Sequence, residues 1–197
     1  MVPYRLFAEL LSYPRPGVAA TARECAALVA PDNPEAAALL HAFAAFAAKT
    51  PPGRLEELYT AAFDLDAACS LYVGYHLLGE SYKRSVFMLE LKRCYEAQGL
   101  DVGSELPDHL ALVLRFLAGC DDAALAGELV TEALVPALEK RLGRRKGSEE
   151  DGDEGGAEVP EQPHPYLGLL QALVLVLQRQ PQAVGRGSTS EGGSSHD

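Results

Sequence analysis

Tryptophan is missing from this chain, and aromatic residues of any kind make up only 7% of it. Alanine and leucine dominate instead, a bias that favours helix over strand. Nothing alternates apolar and polar for long enough to read as a sheet. Cysteine is scarce: four residues, at 25, 69, 94 and 120, with no CxxC spacing. That excludes a disulfide framework and a paired-cysteine zinc motif. Four reduced thiols, mostly buried as small apolar groups, are expected. Basic residues are also few, 17 against 28 acidic ones, for a net charge of −11. Such a chain has no bulk surface for nucleic acid or for an anionic membrane. Long hydrophobic runs are absent too. The most apolar stretch, "YLGLLQALVLVLQ" from Tyr166 to Gln178, is too short to span a bilayer. The opening "MVPYRLFAELLSYP" has a single Arg5, an internal Glu9 and no small-residue cleavage site. No signal peptide, no direct membrane insertion and a cytoplasmic location are therefore expected.

What is present is 197 residues that are 48% hydrophobic, enough for one domain with a real core. Prolines and glycines punctuate a series of helical patterns. The first covers Pro3 to Tyr13 and stops at "YPRPG"; the second runs from about Pro16 to Ala30. Asn33 is placed to cap a third helix, with Pro34 at its first position and Leu39, Leu40, Phe43 and Phe46 along it. Leu55, Leu58, Tyr59, Ala62 and Phe63 fall at i, i+3, i+4, i+7 and i+8, one apolar stripe facing a core. A long helix is expected from Ser81 to Gln98, ended by Gly99. Another should begin within "ELPDHL" and carry Leu106, Leu110, Val113, Leu114 and Leu117 on one face. Pro136 predicts a kink or restart inside a helix from Asp122 to Leu142.

The expected architecture is all-α: a single-domain bundle of about eight helices with a long acidic loop before the last one. Residues 1–142 form the helical domain. Residues 143–163 read as a disordered acidic linker, 164–180 as a last helix packed on the domain, and 181–197 as a disordered tail.

Chemistry has little support. Cys69 and His76 are seven apart, too far to share one site on one helix. No second close pair of cysteine or histidine completes a metal shell, and Glu105 with His109 is interrupted by Pro107. No glycine-rich turn presents Cys69 as a nucleophile. No P-loop and no GxGxxG occurs, so nucleotide chemistry has no footing. "ELPDHL" is more informative. With Pro107 in a first helical turn, Asp108 sits where amide dipoles favour a carboxylate, either as a plain cap or paired with His109 as a recognition site. Tyr59, Tyr72, Tyr75, Tyr82 and Tyr95 gather in the central third, as core margins or groove walls.

Three segments then match a known pattern in order and spacing: "LYTAAFDLDAACSLYVGYHLLGE", "LKRCYEAQGLDVGSELPDHL" and "LVLRFLA". Together they resemble the nitrate reductase molybdenum cofactor assembly chaperones of the NarJ type, within the wider TorD/DmsD/NarJ redox-enzyme maturation family. The resemblance runs from about Tyr4 to Leu142 and is most specific between Leu55 and Leu117. It implies an all-helical cytoplasmic chaperone without enzymatic activity or a stably bound cofactor. The implied partner is the N-terminal segment of the nitrate reductase catalytic (α) subunit. The apoenzyme is held for molybdenum cofactor insertion before membrane docking. Asp108 and His109 match an acid–histidine pair tied to peptide recognition; Tyr59, Phe63, Ser70, Leu71 and Tyr72 match the signature lining that region. With Tyr75 and His76 they make up the expected partner-peptide site. The alternatives are a chaperone for another molybdoenzyme of the same class, or a small helical metal- or cysteine-dependent enzyme.

Overall fold

The computed structural model describes residues 2–65, 70–150 and 164–179, without the side chains of 144–150. Among the described residues there are α-helices, one π-helical stretch and no strand, so the chain is all-α. Cys69 and the tail from 180 onward lie outside the described residues, as does 151–163 of the expected linker.

The first helix, α1 (Tyr4–Leu10), is shorter than its sequence pattern, because Leu11 to Tyr13 turn away ahead of Pro14. Helix α2 (Val18–Val29) packs along α3 (Pro34–Lys49), and α3 packs along the last helix, α10 (Pro165–Gln178). Asn33 caps α3 as its position predicts: its side-chain oxygen accepts from the Ala36 amide at 3.1 Å. Its amide nitrogen also donates to the Leu175 carbonyl at 3.0 Å, so one side chain both starts α3 and holds α10.

Helix α4 (Pro52–Phe63) buries Leu55, Tyr59, Ala62 and Phe63, while Leu58 stays half-buried. After it come the short α5 (Val73–Leu78) and the long α6 (Tyr82–Gln98). Ser81 caps α6, and Gly99 ends it at φ 70°, a left-handed conformation that favours glycine.

Helix α7 (Leu110–Ala118) is buried nearly all round and lies against α1. It starts three residues later than the "ELPDHL" pattern suggests. Pro107 and Asp108 are not in its first turn, and Leu106 is exposed rather than on its apolar face. Helix α8 (Ala123–Glu128) runs into the π-helical stretch Leu129–Leu134 and then α9 (Val135–Glu150). The expected disturbance at Pro136 takes this form. Proline has no N–H for the preceding turn, and one widened turn absorbs the mismatch without a break. The α9 backbone stays helical to Glu150, into the segment expected as linker; its Lys and Arg run is made of good helix formers.

Candidate functional site

Two distant segments meet at a single point of β pairing. Tyr72 and His109 form an isolated antiparallel bridge. The Val73 amide donates to the Asp108 carbonyl and the Leu110 amide to the Leu71 carbonyl, both at 2.8 Å. These bonds explain why α7 starts late. The backbone at Asp108 and His109 is extended to pair with the segment before α5, so it is unavailable for a helical turn. His109 becomes the N-cap instead, its Nδ1 accepting from the Ala111 amide at 3.2 Å.

Asp108 is fully buried, and its carboxylate faces α6. Arg84 Nε donates to Oδ2 at 2.8 Å and Nη2 to Oδ1 at 3.3 Å. The guanidinium also lies 5.6 Å from the Tyr72 ring centre and 5.8 Å from that of Tyr75. Only glycine fits opposite this ion pair. A Cβ on Gly74 would stand 2.7 Å from Asp108 Oδ2 and 3.2 Å from Arg84 Cγ. Tyr95 closes the loop from below, donating its hydroxyl to the Pro107 carbonyl at 2.8 Å.

Beside this anchored crossing opens a cleft of about 330 Å³. Tyr59 and Phe63 of α4 and Leu71 and Tyr72 of the bridge segment form part of its wall, with His109 and Leu112 from the start of α7. Ser12 and Tyr13, just after α1, complete it with Val102 and Glu105 from the loop before α7. The Tyr59 hydroxyl donates to the Leu11 carbonyl at 3.1 Å, which spends its polar end and leaves the ring facing the cleft. Tyr72 donates to Glu105 at 2.9 Å and stacks edge-on against His109, ring centres 5.5 Å apart.

The cleft's charges are mixed. Asp64 and Glu105 supply carboxylates, and Arg115, bonded to Ser12 Oγ at 3.0 Å, supplies a cation. Burial pushes the Asp64 carboxyl up, against the opposing pull of His109. Burial pushes His109 below the ordinary histidine value, partly offset by Glu105. Tyr72 is pushed up to about 12, first by burial and then by its bond to Glu105. The mouth therefore presents the acidic side chains of Asp64 and Glu105 and the Arg115 guanidinium beside aromatic rings and an imidazole that burial keeps neutral. That combination suits a chain segment with apolar side chains and a positive charge.

The structure brings five of the expected site residues to this cleft: Tyr59, Phe63, Leu71, Tyr72 and His109. Four lie elsewhere. Asp108 points to Arg84; Tyr75 sits on the Arg84 side. Ser70 and His76 are buried around a separate, very small cavity, where His76 Nε2 lies 2.8 Å from the Ser70 carbonyl oxygen. Sequence reasoning missed Tyr13, Arg115 and Arg84. Tyr13 and Arg115 carry no local signal, and Arg84 gains meaning only through a partner 24 residues away. Among the described residues, no group of three or more His, Cys, Asp or Glu could hold a metal ion. No described helix is long and apolar enough to cross a membrane.

A family profile described as nitrate reductase delta subunit matches residues 29–145, more than half of the chain. The chain belongs to the nitrate reductase delta subunit family. It is 38% identical over 84 residues to the probable nitrate reductase molybdenum cofactor assembly chaperone NarJ of Bacillus subtilis (strain 168). That alignment covers 42% of this chain and 45% of the relative. It is 46% identical over 61 residues to the nitrate reductase molybdenum cofactor assembly chaperone NarJ of Escherichia coli (strain K12), covering 30% of this chain and 26% of the relative. The chain thus spans less than half the length of these relatives. The family match contains the cleft from Tyr59 to Arg115, together with Gly74, Arg84 and Asp108.

Proposed function

We propose that the protein is a cytoplasmic assembly chaperone for a nitrate reductase. It binds the N-terminal segment of the catalytic (α) subunit and holds the apoenzyme until the molybdenum cofactor is inserted, before membrane docking. The cofactor is cargo for the partner and is not held by this chain. The observation that carries the reading is that most of the wall of an aromatic, acid-lined cleft, from Tyr59 to Arg115, lies inside the span matched to the family. A peptide helix or extended segment places apolar side chains against Tyr59, Phe63, Leu71 and Tyr72, and a lysine or arginine beside Asp64 and Glu105. His109 stays neutral there and adds an aromatic edge. Asp108 serves the site indirectly, by fixing through Arg84 where Tyr72 stands.

The test is calorimetric titration of the full chain with a synthetic peptide of the reductase α subunit's N-terminal residues. Tyr72→Ala should weaken binding about tenfold or more, the cost of losing an aromatic anchor. Asp64→Asn should weaken it by roughly two- to fivefold, as for a partly exposed ionic contact. No heat with the native chain, or unchanged affinity in both variants, would overturn the assignment.

A further inference from the structure

The outer face of α6 carries an apolar stripe that no described residue covers. Tyr82, Val86 and Leu89 recur at i, i+4 and i+7 and so share one face. Their exposures are 83%, 40% and 49%. Leu91 and Tyr95 face the core, and Arg84 reaches inward to Asp108. The stripe and the anchored cleft wall therefore sit on opposite sides of one helix. Large apolar side chains gathered on an exposed face mark an interaction surface.

We infer that this face binds a second copy of the chain, with the two α6 helices antiparallel about a two-fold axis. The flanking charges select this occupant. Lys83 and Glu90 are seven residues apart, two helical turns, and lie on the same flank of the stripe. In an antiparallel helix pair about a two-fold axis, each flank faces its own counterpart. A register centred between Val86 and Phe87 sets Lys83 of each copy opposite Glu90 of the other. Lys92 and Arg93 stay beside Glu96 and Glu90 of their own helix, so Glu90 bridges Arg93 and the incoming Lys83. No like charges meet, and each copy covers the other's Tyr82, Val86 and Leu89. The chain's own acidic stretch from Glu149 to Glu161 is a poorer occupant: it has only Ala157, Val159 and Pro160 among its acids and glycines. A helix of this length spans about 25 Å. One such pair falls short of the roughly 800 Å² per partner of a standard interface, so the dimer is reversible. None of Tyr82, Val86 and Leu89 lines the cleft.

Sedimentation velocity of the full chain across the micromolar range tests this. The average mass should rise with concentration toward twice that of the monomer. Val86→Glu should hold the chain monomeric with an unchanged circular dichroism spectrum, since its side chain is exposed. Lys83→Glu should weaken the dimer by about fivefold or more, the size of one exposed ion pair lost at each of two symmetric positions. Adding Glu90→Lys should restore it. A monomer at every concentration would overturn the inference. So would a dimer that Val86→Glu leaves intact, or one that is indifferent to the charge reversal and its rescue. None of these outcomes depends on peptide binding at the cleft.

Discussion

Replacing Arg84 by methionine tests the central structural claim, that a buried ion pair builds the wall of the cleft. Asp108 is 0% exposed and Arg84 14%, so water screens the pair poorly. Methionine keeps much of the apolar stem but removes both donors, at 2.8 and 3.3 Å. The carboxylate then stays buried without its cation. Breaking such a pair from one side costs about 3–5 kcal/mol. Loss of the guanidinium over Tyr72 and Tyr75 adds about 0.5–1 kcal/mol for each ring. The small exposure of Arg84 argues for the lower end, about 4 kcal/mol in total. Against a whole-domain stability of roughly 5–15 kcal/mol this is a large fraction. Urea unfolding followed by circular dichroism should show a midpoint lower by about 1–2 M for a typical slope.

The decisive measurement is the double variant Arg84→Met with Asp108→Asn. A neutral amide in place of the stranded carboxylate should recover most of the loss, giving a coupling energy of about 2 kcal/mol between the sites. A single-variant loss under about 1 kcal/mol would place the pair among ordinary surface ion pairs. That result, or a double variant no more stable than Arg84→Met, would refute the reasoning.

Gly74→Ala should destabilise the fold, since its Cβ would meet Asp108 Oδ2 at 2.7 Å and Phe87 Cδ1 at 3.1 Å. The overpacking cost of about 1–3 kcal/mol exceeds the helix propensity gained, up to about 1 kcal/mol, and the urea midpoint should fall. His109 is neutral in the fold, with a value below the ordinary 6.5, and its Nδ1 must stay unprotonated to cap α7. The unfolded chain therefore binds the extra proton first. Stability is full above the ordinary value and is lost as pH falls through it toward the folded one. The loss approaches the value of one cap, about 1 kcal/mol. Comparing urea midpoints at about pH 7.5 and about pH 5.5, the native chain should fall more than His109→Asn, which caps without titrating. Cys25 is fully buried and its thiol is pushed up to about 12 by burial. In mass-spectrometric alkylation at neutral pH it should remain unlabelled until the chain unfolds.

The helices were largely legible because their signals are local. Asn33 followed by Pro34 announces the start of α3, Gly99 announces the end of α6, and the stripe from Leu55 to Phe63 needs only its own spacing. The start of α7 was misread for the complementary reason. Pro107 and Asp108 look like a first helical turn, yet the backbone from Asp108 to Leu110 is committed to Leu71, Tyr72 and Val73, over thirty residues earlier. A long-range pairing leaves no mark on local propensity. The same holds for Arg84, which reads as one more charge on a helix with no amphipathic pattern. Its role depends on Asp108 and on the absence of a side chain at Gly74. The tyrosines were legible as a group but not individually: Tyr59 and Tyr72 wall the cleft, Tyr95 supports Pro107 from the core, and Tyr82 stands in solvent.

The cleft also depends on parts of the chain outside the family match. Residues 29–145 contain Tyr59, Tyr72, Asp108 and His109. They contain neither end of the support beneath Tyr59. On one side its hydroxyl is tied to the Leu11 carbonyl. On the other, Tyr166 of α10 is fully buried, with its ring centre 5.7 Å from Tyr59, 5.3 Å from Phe63 and 5.2 Å from Phe43. Edge-to-face contacts of this kind fix ring orientation as well as adding attraction. The orientation of Tyr59 in the cleft is thus set jointly by the first and last helices. Asn33, by holding the Leu175 carbonyl, sets where α10 lies along α3. A change in how α10 seats on α3 would therefore be felt at the cleft through Tyr166 and Tyr59, without touching the Asp108–Arg84 pair on the opposite wall. The two walls are built independently: one by an ion pair that fixes Tyr72, the other by an aromatic cluster that fixes Tyr59.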